Sequence, residues 1–277
     1  MLLKIITCIS ALFAAGICAL LNGFDGLGWL WLLPLTFVGG FGLCLGVCVL
    51  VVWIPSLSVD PEKIEDRDDP FVRTIAKLYA PALFKLLGCK IETTGAEKLP
   101  ENGRFLLVCN HTSNFDPGIP LAVFPDAQLA FISKKENLQL PIIGKMMLKI
   151  QCQLLDREND RAALKTILKC ISILKEDRAS IAVFPEGGIV KDGKLLHHFR
   201  PGVFKIAQKA GVPIVVCTLT GTTQIARNVK KLRRTPIRFH LLQVIPAEEL
   251  KDVTTVDIAD RVHEIMAADL GAENVAS

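Results

Sequence analysis

The sequence predicts an α/β domain with a largely parallel central sheet flanked by helices, preceded by an N-terminal hydrophobic helical hairpin. Three observations predict it. Residues 1–58 are apolar, small or Gly/Pro almost throughout, with Lys4 and Asp25 their only charged side chains. Beyond them, short apolar runs of strand length alternate with stretches of helical period. That alternation is the pattern of strands joined by crossover helices around one sheet.

The hairpin divides at NGFDGLG, residues 22–28. A first apolar run, 5–21, is just long enough for a membrane span, and a second, 29–54, is longer and contains Pro34 and the pair Gly39–Gly40. Trp29, Trp31 and Trp53 stand near the ends of the second run, where aromatic side chains favour a membrane–water interface. Lys4 precedes the first run, Lys63, Arg67 and Arg73 follow the second, and the connector has no basic residue. The positive-inside rule then places both ends on the cytoplasmic side, whether the hairpin crosses the bilayer or only enters it. A cleaved signal peptide fits the first run but not the second, which would still anchor the chain. The expected division is a membrane hairpin at 1–58 and a cytoplasmic domain at 59–277. Size and the lack of targeting extensions suggest a bacterial plasma membrane.

The net charge of +4 falls entirely within 59–277. This mild basicity suits an anionic substrate or membrane surface. Nucleic acid is not expected as a partner, because no basic, aromatic-rich platform is present. Nine cysteines occur without a CxxC pair, mostly inside apolar runs. They read as small buried hydrophobes, not disulfides or zinc ligands, and no metal site is expected.

Within the domain, FVRTIAKLYAPALFKLLG (71–88) has helical period and ends at Gly88, with Pro81 expected to kink or break it. Its Phe71, Tyr79 and Phe84 suit either a bilayer or a packed core. Strands are expected at 104–109, 128–133, 151–156, 180–185, 213–220 and 237–245, and helices at 160–177, 203–211 and 255–271. The tract RNVKKLRRTPIR (227–238) is the densest basic run. It suits anionic headgroups, or equally a solvated face.

The stretch FLLVCNHTSNFDPG (105–118) joins a buried strand directly to polar residues. In open α/β sheets, ligands bind beyond the C-terminal ends of strands. His111 is the side chain best suited to general-base work near neutral pH, and Asp116 is the nearest carboxylate able to orient its ring. A spacing of five works only if the chain turns between them. A polar turn, with Asp116 capping the next helix, fits the same residues. FPEGG (184–188) ends another strand, and Gly187–Gly188 would let backbone N–H groups approach an anion. No serine or cysteine sits in a nucleophile elbow.

NHTSNFD resembles the NHxxxxD signature of the glycerolipid acyltransferases. Further blocks follow in that family's order. SKKENLQLPIIGKMM (133–147) is similar through Lys134, Lys135, Glu136, Pro141 and Gly144, with Asn137 where the family has leucine. LLDRENDR (154–161) is similar through Asp156 and Arg157. FPEGG resembles the F-P-E-G-T-R block, and FRPGVFKIAQKAGVPIV (199–215) the stretch ending in V-P-h-x-P, where Val216 replaces the last proline. The resemblance spans roughly 70–225.

The resemblance implies that His111, held by Asp116, removes a proton from an acceptor hydroxyl. That hydroxyl then attacks the thioester of acyl-CoA or acyl-carrier protein, and no cofactor is used. It implies a lysophospholipid acceptor, with lysophosphatidate giving phosphatidate as the leading case, and contact with membrane lipids. It also implies substrate-binding roles for Lys135, Arg157, Glu186, Gly187 and Gly188. One departure bears on the acceptor. Gly188 and Ile189 stand where the family has Thr-Arg, which removes a cation, and Lys135, Lys191, Lys194 and Arg200 are the candidates to replace it. Another hydroxylated lipid acceptor, a non-catalytic lipid-binding protein and a thioester hydrolase are the rival expectations.

Overall fold

The computed structural model describes residues 1–21, 24–60, 67–156 and 160–276. The chain forms two compact units, Met1–Asp60 and Pro61–Ser277.

In the first unit, helix α1 (Leu2–Leu20) packs on helix α2 (Trp29–Leu57). The buried face of α1 is Ile6, Ser10, Ala14 and Cys18, one residue per turn. Three of these are small, so the helices approach closely. A Cβ at Gly40 of α2 would lie 2.9 Å from the Phe13 ring and 3.6 Å from the Ser10 Cα. This is how helices associate where no hydrophobic driving force acts between them. Most of the remaining surface is exposed leucine, valine and tryptophan, and both helices are long and apolar enough to cross a membrane.

The second unit is a seven-stranded sheet in the order β1-β7-β6-β2-β5-β3-β4. The strands are β1 (Cys89–Thr94), β2 (Leu106–Val108), β3 (Leu129–Lys134), β4 (Gln153–Leu155), β5 (Ser180–Val183), β6 (Ile214–Thr220) and β7 (Thr235–Ile245). Every neighbouring pair is parallel except β6–β7. The six strands read from the sequence are present. β1 is additional, and its CKIETT alternation with one half-exposed face gives no apolar run to read.

Helices α6 (Asp160–Lys175), α7 (Lys205–Ala210) and α9 (Thr255–Leu270) supply one side of the core. Their Ile173, Leu174, Ile206, Val262 and Met266 bury alternate strand residues such as Leu106, Val108, Ile181 and Ile214. The strand period of two turns the intervening residues to the opposite face. Helices α4 (Gly118–Val123), α5 (Ile143–Lys149) and α8 (Ile225–Lys230) are short and sit at strand ends. Gly144 allows α5 to start hard against the preceding turn, because a Cβ there would fall 2.4 Å from the Asn137 carbonyl oxygen.

Helix α3 (Pro70–Leu86) starts at Asp69, whose carboxylate accepts from Phe71 N and Val72 N. It runs unbroken through Pro81, contrary to the sequence expectation. Proline there removes one backbone donor, but tertiary contacts hold both halves of the helix. Phe84 is 2% exposed and packs on Gly118, so of the three aromatics it belongs to the core. Upstream, buried Arg73 donates to Asp68 and to the carbonyls of Leu129 and Ile150. Arg73→Met strands that carboxylate and both carbonyls. The expected loss is roughly 3 kcal/mol of stability, read as a lowered thermal midpoint with α3 detached first in hydrogen exchange.

Candidate active site

The site forms just past the C-terminal ends of β2 and β5. Asn110, fully buried, anchors the exit of β2. Its Oδ1 accepts from Leu219 N at 2.8 Å, and its Nδ2 donates to the Leu195 and Leu219 carbonyls at 2.9 Å each. The first residue of NHTSNFD therefore ties β2 to β6 and fixes where His111 begins.

The chain turns tightly after His111. Asp116 Oδ2 accepts from Thr112 N at 2.6 Å, from Ser113 N at 2.7 Å, and lies 3.0 Å from His111 Nδ1. The spacing of five thus closes through an Asp-centred turn, not through a helix face. Asp116 does not cap α4, which begins at Gly118 without a side-chain cap. Because Oδ2 already accepts two backbone N–H groups, it meets His111 as an acceptor. The ring therefore carries its proton on Nδ1 and presents Nε2 as a free lone pair.

The other oxygen, Oδ1, accepts from Thr222 Oγ1 at 2.5 Å. Thr222 is fully buried and follows Gly221 at the end of β6. Gly221 has φ +92° and lies so close to β7 that a Cβ would fall 2.2 Å from the Pro236 carbonyl oxygen, so only glycine delivers Thr222 to Asp116. Sequence reading missed Thr222 and the role of Asn110. Over 100 residues separate Thr222 from Asp116, and no local spacing signals the contact.

Phe184, leading FPEGG, stacks on the His111 ring with centroids 4.3 Å apart and planes 20° apart. The aromatic face suits the imidazolium that forms when Nε2 takes a proton. Glu186 orders the same loop. Its Oε2 accepts from His111 N at 3.0 Å and its Oε1 from His197 N at 3.4 Å. Burial pushes the Glu186 carboxyl up to about 8, against the two backbone donors, and the nearby Asp116 charge adds to the rise. The folded state therefore holds a proton that the unfolded chain releases at ordinary carboxyl pH. Stability from this group is present below the unfolded value near 4.5 and is lost as pH rises through about 8. Glu186→Gln is expected to flatten the fall in thermal midpoint between those two pH values. A fall of unchanged slope would assign it to other groups.

Gly187 has φ +80°, and its own N–H donates to the Phe184 carbonyl at 3.0 Å. That N–H is engaged within the turn. What its missing side chain makes room for is Arg200, whose Nε would lie 2.7 Å from a Cβ at 187. The N–H of Gly188 has no partner among the described residues. Lys135 is exposed at the end of β3, two strands from β2, with no hydrogen bond to the His111–Asp116 pair. Arg157 lies outside the described residues.

Residues 90–220 match the family described as Acyltransferase. A probable 1-acyl-sn-glycerol-3-phosphate acyltransferase of Mycoplasma pneumoniae is 30% identical over 222 residues, which is 76% of this chain and 82% of that protein. A 1-acyl-sn-glycerol-3-phosphate acyltransferase of Cocos nucifera is 29% identical over 184 residues, and the match spans 66% of this chain and 58% of that protein. The crystal structure of the 1-acyl-sn-glycerophosphate acyltransferase of Thermotoga maritima shares the fold, with a TM-score of 0.60 at 22% identity over 96% of this chain and 95% of that one. With 30% identity over most of both chains, the chain belongs to the acyltransferase family that includes the 1-acyl-sn-glycerol-3-phosphate acyltransferases.

Proposed function

We propose that the chain transfers a fatty acyl group from a thioester to the free hydroxyl of 1-acylglycerol-3-phosphate, giving phosphatidate. The observation that carries this is the His111 ring. Asp116 holds its Nδ1, which leaves Nε2 to accept a proton. In the proposed step, Nε2 removes the acceptor's O–H proton as the oxygen attacks the thioester carbon. The new C–O bond forms, the C–S bond breaks, and the imidazolium returns the proton to the departing thiolate. Asp116 stabilises the transient positive charge. The acyl group passes directly, without an enzyme ester. Acyl-CoA and acyl-carrier protein both supply the required thioester, and the step needs no metal or cofactor. The two apolar helices support a membrane-associated enzyme, and the flanking basic residues support placing the domain on the cytoplasmic face.

Arg200 takes over the acceptor's phosphate in this reading. Its side chain lies over Gly187, and its guanidinium has no hydrogen-bond or ion-pair partner among the described residues. A guanidinium in that place compensates for Ile189, which carries no charge. Assays with lysophosphatidate against neutral monoacylglycerol test acceptor and residue together. Arg200→Ala is expected to raise KM for lysophosphatidate about tenfold with kcat little changed, since a charge-assisted contact of this kind is worth ~1.5 kcal/mol. Faster turnover of the neutral acceptor by the parent enzyme would overturn the assignment of lysophosphatidate.

A further inference from the structure

The last residue of α8 and the loop to β7 read Lys230-Lys231-Leu232-Arg233-Arg234, and Leu232 is 96% exposed. That exposure is built in. Leu232 N donates to the Val229 carbonyl, Lys231 N and Arg233 N both donate to the Asn228 carbonyl, and the Asn228 side chain donates to Thr235. Leu232 itself sits at φ +51°, a conformation that disfavours side chains of its kind. A hydrogen-bonded turn thus holds a leucine fully outward among four exposed cations. None of those cations has an acidic partner among the described residues.

The loop also lies at the catalytic end of the sheet. β2 and β6 are parallel and end there, while β6 pairs antiparallel with β7, with Thr220 opposite Arg238. β7 therefore begins at the end where β2 delivers His111. β1 is parallel to β7 and begins there too, with Cys89 opposite Thr235. The end of α3 joins the same surface. A Cβ at Gly88 would sit 3.8 Å from the Arg233 carbonyl oxygen, Lys85 and Leu86 just before it are exposed, and Phe84 packs on Gly118, two residues after Asp116.

We propose that this end of the domain is a docking face for an anionic bilayer. Leu232 and Leu86 enter the interfacial region, and Lys85, Lys230, Lys231, Arg233 and Arg234 meet lipid phosphates. The chemistry fits a lipid surface because apolar tips and uncompensated cations alternate within a few residues. An acidic protein partner would match the cations but leave Leu232 in water. Docking there would bring the sheet end that carries His111 to the layer in which a lysophospholipid resides. The inference rests on the proposed reading that the acceptor is a membrane lipid.

Two measurements on the full chain reconstituted in vesicles test it. Leu232→Trp, with Trp29, Trp31 and Trp53 of the parent chain as background, reports burial of the tip. Emission quenched by brominated lipid beyond the parent's, in phosphatidylglycerol-containing vesicles, supports docking. A water-exposed, unquenched signal overturns it. Separately, acyl transfer on vesicles with and without phosphatidylglycerol is compared with that of Lys231→Glu/Arg233→Glu/Arg234→Glu. The parent is expected to be at least about fivefold faster on the anionic vesicles. The variant should lose that ratio while matching the parent in neutral detergent micelles. A retained ratio overturns the proposal. Absence of transfer by the parent even in micelles would count against the proposed reaction instead, and the tryptophan signal would still decide the docking.

Discussion

His111→Ala loses nearly all acyl transfer, with kcat reduced roughly 10³-fold or more, while the protein keeps its fold. The side chain is suited to such a test. The side chain is 17% exposed, and the ring contributes one hydrogen bond, to a carboxylate that retains three other donors. Its backbone N–H, which donates to Glu186, is untouched by the substitution. The loss should therefore appear in kcat, with the thermal midpoint close to the parent's and the acceptor KM little changed. A purified variant that still turns over at parental rate would remove His111 from the chemistry.

Asp116→Asn is the second large effect, and it separates charge from geometry. The amide oxygen can take the place of Oδ2 and keep Thr112 N, Ser113 N and the His111 Nδ1–H. The amide nitrogen then faces Thr222 Oγ1, and a hydroxyl can turn to accept instead of donate. Fold and tautomer both survive. What disappears is the negative charge beside the imidazolium, so kcat should fall about 10²-fold, less than for loss of the base. Asp116→Ala goes further, because two backbone N–H groups and the Thr222 hydroxyl lose their acceptor in a buried place. That variant is expected to lose both activity and several kcal/mol of stability, at about 1–3 kcal/mol per stranded group. Differential scanning of the two variants beside their kinetics distinguishes these outcomes.

The fold was legible where apolar runs are continuous. Strands β2, β5 and β6 announce themselves because both of their faces are covered, whereas β1 lies at a sheet edge and its Lys90, Glu92 and Thr94 face solvent. Pro81 misled because a local rule about a missing donor competes with packing of Phe84 and Arg73 that only the folded chain reveals. The site shows the same division. His111 and Asp116 lie within one turn of chain and could be paired by type and spacing. Thr222 reaches Asp116 from the end of another strand, and the sequence carries no sign of it beyond a glycine whose need becomes visible only beside Pro236. Gly187 was recognisable as a special backbone position, but the room it makes for Arg200 shows only in the folded chain.

In the proposed reaction, transfer between thioester and hydroxyl is direct and depends on His111. The most direct measurement follows thiol release from acyl-CoA and phosphatidate formation together, with and without lysophosphatidate, for the parent and for His111→Ala. The predicted result is one thiol per phosphatidate, release only when acceptor is present, and neither product from the variant. Thiol release that ignores the acceptor, or phosphatidate formed equally well without His111, would contradict it.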